Sequence, residues 1–211
     1  MPIVDSFQDP FTRIVTWHVT ESVEELLDLL NLSPERLEKF HSMKPKQGKE
    51  YLGLRACMQE LEIDDDLYYD QRGKPYLQQK KHISITHSYE MVSVGVSSFT
   101  IGIDIEMRRN DKILNIRRKF IRPDEAEWIP QNEQEYDFLH VIWGIKEGLY
   151  KINGGSLWNF LHHYRVESFN LAEGEKIRCW ITDNQTSCSY FAYYTMIDSY
   201  FLVWVLDYER V

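Results

Sequence analysis

The stretch YDFLHVIWGIKEGLYK, residues 136–151, puts the strongest constraint on the fold. Phe138, Ile142, Ile145, Leu149 and Ile152 recur at helical spacing as one apolar stripe, and Gly154 and Gly155 stop the helix behind it. A stripe like this has to be laid on a partner surface. The segments that follow can supply one, with strands expected near HYRVESF, KIRCWIT, SYFAYYTM and YFLVWVL. The first half runs in the same sense. A strand near RIVTWHV precedes a helix expected over 21–30. LSPERLEKF then offers Ser33 as N-cap, Pro34 at the first helical position and Glu35 in the first turn. A further helix is expected over 49–61, with Leu52, Cys57 and Leu61 near one side. After the turn QRGKPYL come the strands HISITH and MVSVGVSS, and IGIDIE is expected as the third member of their group. The expected fold class is α+β, with two similar pseudo-symmetric lobes, residues 1–98 and 99–211. Each is a small, mainly antiparallel sheet packed against helices, and no flexible linker marks the boundary.

Composition narrows the function. The net charge of −9 makes nonspecific nucleic-acid binding a poor default, because neutralising phosphates needs a basic footprint. Cys57, Cys179 and Cys188 are odd in number and form no CxxC pair, which argues for a reducing cytoplasm over a disulfide framework. The N-terminal MPIVDSFQDP lacks the pattern of a secretory signal. The most apolar run, YFAYYTMIDSYFLVWVLDY, is broken by Asp198 and Ser199, so it reads as two strands and a turn; a membrane span needs about 20 unbroken apolar residues. One segment goes against the acidic balance. Residues 108–122 carry Arg108, Arg109, Lys112, Arg117, Arg118, Lys119 and Arg122 against a single acid, Asp111.

In IGIDIE, Ile101, Ile103 and Ile105 face one way, and Gly102, Asp104 and Glu106 the other. The two acids then stand roughly 6.6 Å apart along the strand. They are either the solvated face of an amphipathic strand or a site where a cation sits between them. Glu147 and Lys151 lie four apart on the helix, roughly opposite its apolar stripe, either as a solvent-facing pair or as part of such a site. Three carboxylates from a strand and a helix suit Mg²⁺, which takes oxygen ligands, and a nearby lysine suits phosphate. His87, at the end of HISITH, is either a phosphate donor or a histidine satisfied by a neighbour. RGKP is either part of a pocket or only a turn.

Taken in order, GKP (73–75), ISITHS (83–88), IGIDIE (101–106), FIRPDE (120–125) and WGIKEGLYK (143–151) resemble the 4′-phosphopantetheinyl transferase superfamily. The chain looks like the longer, monomeric type that activates surfactin synthetase. The resemblance covers about residues 70 to 155, and more loosely 33–61.

The resemblance implies a site between the lobes and transfer of phosphopantetheine from coenzyme A to a carrier-protein serine, leaving adenosine 3′,5′-bisphosphate. Asp104, Glu106 and Glu147 match the Mg²⁺ ligands. Lys151 and His87 would flank the pyrophosphate, and Glu147 is the candidate base for the serine proton. Gly73, Lys74, Pro75 and Thr86 would line the coenzyme A pocket. Arg36 and Lys49 fall near the family's contacts to the adenosine phosphates. The basic segment 108–122 would dock an acidic carrier protein, or is a solvated face with no partner. The chain departs from the family at Thr86, where serine is usual, and at Gly148, where alanine is usual. KPKQGKEYLGLR also holds fewer arginines than expected. The rival expectations are a noncatalytic binder of coenzyme A or carrier protein, and a Mg²⁺-dependent phosphohydrolase.

Overall fold

The computed structural model describes residues 3–63, 67–78, 81–183 and 186–208. The extreme ends of the two expected lobes, 1–2 and 209–211, lie outside the described residues. In chain order the first half comprises β1 (Ile3–Gln8), β2 (Thr12–His18), α1 (Val23–Leu30), α2 (Pro34–His41), α3 (Pro45–Glu60), the short hairpin β3 (Tyr68–Tyr69) and β4 (Pro75–Tyr76), β5 (His82–Ser88) and β6 (Met91–Ser97). The second half holds β7 (Ile101–Met107), α4 (Asn110–Ile116), a 3-10 turn over 117–119, α5 (Pro123–Ala126), α6 (Glu135–Asn153), α7 (Phe160–His163), β8 (Tyr164–Val166), β9 (Ile177–Thr182), β10 (Ser187–Ile197) and β11 (Tyr200–Leu206).

The α+β expectation holds. One antiparallel sheet runs in the order β1-β2-β6-β5 and the other in the order β7-β11-β10-β9-β8. Val92, Val94 and Val96 of β6 are buried together with Leu52, Cys57 and Leu61, which fastens α3 to the first sheet. The stripe of α6 is buried as expected: Phe138, Ile142, Ile145, Leu149 and Ile152 pack with Phe201, Val203 and Val205 of β11. Asp198 stands at φ 51 in the tight turn between β10 and β11, at the break in the apolar run. Among the described residues no helix is long and apolar enough to cross a membrane.

The boundaries of two helices shift for local reasons. α1 starts at Val23 because Ser22 caps it, its side chain accepting from the Glu25 amide while Glu25 reaches back to the Ser22 amide. α3 starts four residues earlier than expected, at Pro45, the residue type that suits a first helical turn.

The larger correction concerns β7. It does not join the sheet of β5 and β6. β5, the free edge of that sheet, meets β7 through side-chain hydroxyls and not through backbone pairing, and β7 pairs with β11 from Ile101↔Leu206 to Met107↔Tyr200. The two sheets are packed against each other. A third apolar core joins them, with Ile14 and Met91 of the first sheet packed among Ile101, Ile103, Ile105, Leu202 and Trp204 of the second. Phe7 stacks on Trp204 across that join at 5.1 Å between ring centroids.

Candidate active site

β7 and α6 meet through glycines. A Cβ on Gly102 would lie 2.1 Å from the Gly148 carbonyl oxygen, and one on Gly148 would lie 2.7 Å from Val205 Cγ2. Helix and strand backbones are therefore nearly in contact. Gly102 shares its face with Asp104 and Glu106, but its role is this close approach and not room for a ligand. The same approach accounts for Gly148 where an alanine was expected.

α6 is held in rotation by a buried pair beside the site. Lys146 and Glu125 have 0 % side-chain exposure and meet at 2.7 Å. Lys146 Nζ also donates to the Phe120 carbonyl at 2.6 Å, while Glu125 accepts from the backbone amides of Arg122 and Val166, each at 2.9 Å. Burial lowers the Lys146 pKa to about 8, against the pull of Glu125. Neither residue was singled out from sequence, although Lys146 adjoins Glu147 and Glu125 closes FIRPDE.

With α6 so fixed, Glu147 and Lys151 face β7 and not solvent. Lys151 Nζ donates to Asp104 Oδ1 at 2.8 Å and to the Ile103 carbonyl at 2.7 Å. Asp104 is 7 % exposed, and its Oδ2 is buried with no hydrogen-bond partner among the described residues. Burial raises the Glu147 pKa to about 7; the Asp104 and Glu106 carboxylates add to that rise and Lys151 opposes it. Glu106 accepts from Ser88 Oγ at 3.4 Å and lies 3.7 Å from both Arg109 and Lys112. Thr86 Oγ1 donates to Asp104 Oδ1 at 3.3 Å.

A cleft adjoins this cluster at Lys151, and a second shares a wall with the first. The first, about 200 Å³, is lined by Gly73, Lys74, Pro75, Tyr150 and Lys151, with Gly154 and Gly155 at the end of α6. The second, about 470 Å³, runs between α3 and β5 and is lined by Glu50, Tyr51, Tyr69 and His87. Gly73, Pro75 and Ile85 belong to both, so the GKP turn is the ridge between them. Gly73 stands at φ +82, and Asp70 Oδ1 accepts from the Arg72 and Lys74 amides at 2.8 and 2.9 Å. The Lys74 side chain spends its charge elsewhere than in open cleft. Its Nζ donates to the Ile152 carbonyl at the C-terminus of α6, 2.6 Å away, and burial lowers its pKa.

The structure thus gathers Asp104, Glu106, Glu147, Lys151 and Thr86 in one place, with Gly73, Lys74 and Pro75 alongside. His87 lies on the other face of β5, where Nδ1 stands 3.6 Å from Glu50. Arg36 on α2 and Lys49 on α3 line neither cleft. Sequence reasoning missed Tyr150, Tyr69, Glu50, Ser84 and Ser88. The last two carried a signal, since hydroxyls recur every second residue along β5 as acids do along β7.

The basic segment is largely paired within the chain. Arg108 meets Asp137 at 2.7 Å and Arg122 meets Asp124 at 2.9 Å, and Arg117 is bonded to Glu135. Arg118 and Lys119 are exposed and have no acid partner among the described residues.

The carboxylates fit a divalent cation. Three acids converge, the buried Asp104 Oδ2 has no partner among the described residues, and burial with the neighbouring Asp104 carboxylate raises the Glu147 pKa. Among the described residues no three His, Cys, Asp or Glu side chains close into a ready-made cage. Mg²⁺ does not require one, because it keeps several of its waters.

Comparison with known proteins follows this geometry. Residues 100–204, which carry Asp104, Glu106, Glu147 and Lys151, match the family model of the 4′-phosphopantetheinyl transferase superfamily. The chain is 32 % identical over 117 residues to 4′-phosphopantetheinyl transferase gsp of Aneurinibacillus migulanus, covering 54 % of this chain and 42 % of that protein. It is 33 % identical over 89 residues to a 4′-phosphopantetheinyl transferase of Bacillus subtilis, covering 40 % and 39 %. To 4′-phosphopantetheinyl transferase Sfp of Bacillus subtilis (strain 168) it is 25 % identical over 169 residues, 74 % of each chain. The first two matches span about two fifths of those relatives' own lengths.

Proposed function

The chain belongs to the 4′-phosphopantetheinyl transferase superfamily through residues 100–204, and on that premise we propose that it transfers 4′-phosphopantetheine from coenzyme A to a carrier-protein serine. The other product is adenosine 3′,5′-bisphosphate. The observation that carries this reading is the convergence of Asp104, Glu147 and Lys151 beside the cleft walled by Gly73, Lys74 and Pro75. Asp104, Glu106 and Glu147 would hold Mg²⁺, which when bound would draw charge from the diphosphate oxygens.

The serine oxygen attacks the β-phosphorus in line, and the bridging bond to the nucleotide phosphate breaks as the new bond forms. Lys151, already aimed at the cluster by Ile103 and Asp104, shares its protons with the departing oxygen. Glu147 takes the serine proton. Its place in the cluster with Asp104 and Lys151 puts a carboxylate where that proton is released. His87 would hold the diphosphate from the side of the second cleft, across β5 from Thr86. Arg36 and Lys49 are proposed for the adenosine phosphates on resemblance alone.

An acidic carrier protein would approach segment 108–122, where Arg118 and Lys119 are the exposed charges without an internal acid among the described residues. We place the reaction in the cytoplasm and in a monomer, since strand and helix of one chain supply the whole cluster. The test is the intact mass of an apo carrier domain incubated with this protein, coenzyme A and Mg²⁺. A gain of one phosphopantetheine, lost with EDTA, is expected. No gain across several carrier types, with coenzyme A still bound, would sink the proposal in favour of a binding module.

A further inference from the structure

β7 is an edge strand, and an edge strand presents a row of amides that need acceptors. Here the acceptors are side chains of β5 and not its backbone. The Ile103 amide donates to Ser84 Oγ at 3.0 Å, the Ile105 amide to Thr86 Oγ1 at 3.1 Å, and the Met107 amide to Ser88 Oγ at 3.4 Å. Three hydroxyls, spaced two apart, stand in for the carbonyls of a neighbouring strand. This seam joins the edges of the two sheets.

Two of the hydroxyls are used twice. Thr86 Oγ1 accepts from the Ile105 amide and donates its own proton to Asp104 Oδ1 at 3.3 Å. Ser88 Oγ accepts from the Met107 amide and donates to Glu106 Oε2 at 3.4 Å. Each oxygen therefore grips the backbone on one side of an acid and the acid itself. That fixes the carboxylate torsion relative to the strand. Thr86 occupies the same Asp104 oxygen that Lys151 does, which leaves Oδ2 as the atom without a partner among the described residues.

We propose that Thr86 and Ser88 are positioning residues that orient Asp104 and Glu106 for a divalent cation, with Ser84 anchoring the seam that aligns them. The inference rests on the functional reading above and adds to it the residues that set cation affinity. Groups that orient metal-binding carboxylates by hydrogen bonds typically change affinity roughly 10- to 100-fold when removed. A purely structural seam would alter stability and leave cation affinity alone.

The test is titration of the whole protein with Mn²⁺, followed by electron paramagnetic resonance, together with amide hydrogen exchange at Ile105 and Met107. Thr86→Val, which keeps the shape and removes the hydroxyl, should weaken Mn²⁺ binding roughly tenfold or more, and Thr86→Ser should restore it. Ser88→Ala should weaken it less, in line with its longer bonds. Exchange at Ile105 should speed up in Thr86→Val and at Met107 in Ser88→Ala. If Thr86→Val fails to fold, the comparison passes to Ser88→Ala and Thr86→Ser. Native Mn²⁺ affinity in folded Thr86→Val or Ser88→Ala would overturn the proposal, as would unchanged amide exchange. No Mn²⁺ binding by the native protein, with no carrier modified, would remove the functional reading instead; the seam would then be judged by amide exchange.

Discussion

Gly102 has no room for a side chain, and the reason is the helix above it. A Cβ on Gly102 would lie 2.1 Å from the Gly148 carbonyl oxygen, so any side chain would push β7 and α6 apart. Asp104 and Lys151 sit on those two elements, and their 2.8 Å contact depends on the same closeness. Gly102→Ala is therefore expected to cost about 1–3 kcal/mol of stability by overpacking, read as a lower urea midpoint. It should also lower transferase activity in protein that is still folded. An unchanged midpoint would show that the backbones are not in contact there. In the sequence the glycine was visible and its alternation with the acids was read correctly. The close approach was not legible there, because it depends on Gly148, more than forty residues later in the chain.

The elements are set by what they bury, and α6 shows this best. Its apolar stripe gave away its existence and extent, down to the glycine stop, with Gly154 at φ 69. Its rotation is decided by Lys146 and Glu125. Removing one partner leaves an uncompensated charge in a fully buried place, so Lys146→Met or Glu125→Leu alone should destabilise by about 3–5 kcal/mol. The double substitution should be markedly less damaging than either single one, as thermal unfolding of the three variants would reveal. Additive losses would mean that the two charges do not compensate each other.

At the scale of the whole molecule, burial of titratable groups sets the response to alkali. Burial raises the Cys57 thiol from 9.0 to about 12 and pushes the Cys179 thiol up as well. The folded chain keeps these protons when the unfolded chain has lost them. Their stabilisation is thus complete below about pH 9 and is lost as pH rises toward 12. Lys146 works in the opposite sense between about 8 and 10.5, where the unfolded chain binds the extra proton, so one amine offsets part of the effect of two thiols. Above that range the thiols are no longer offset by Lys146, so urea midpoints should fall from about pH 10.5 to pH 12, and less steeply in Cys57→Ala. A flat profile in the native protein would contradict the burial of the thiols. Carrier docking also belongs to this scale. Charge reversal at Arg118 and Lys119 should weaken apo-carrier binding at low salt, with the difference shrinking as salt is added. Equal affinities at low salt would place the docking surface elsewhere.

The sequence by itself determined α6 and where it ends, the helices before it in the first half, the longer strands from β5 onward and which side of β7 is apolar, because these follow from local spacing and from residues adjacent in the chain; β1, the β3–β4 hairpin, α4, α5 and α7 were not expected from it. It also named the acids and the lysine of the site. Which sheet β7 joins was decided only in three dimensions, since nothing local tells a strand whether it will pair by backbone with β5 or with β11. So were the seam of hydroxyls between β5 and β7 and the internal pairing of most of the basic segment. Each of these depends on which surfaces the folded chain brings together, and contacts between residues far apart in sequence leave little local trace.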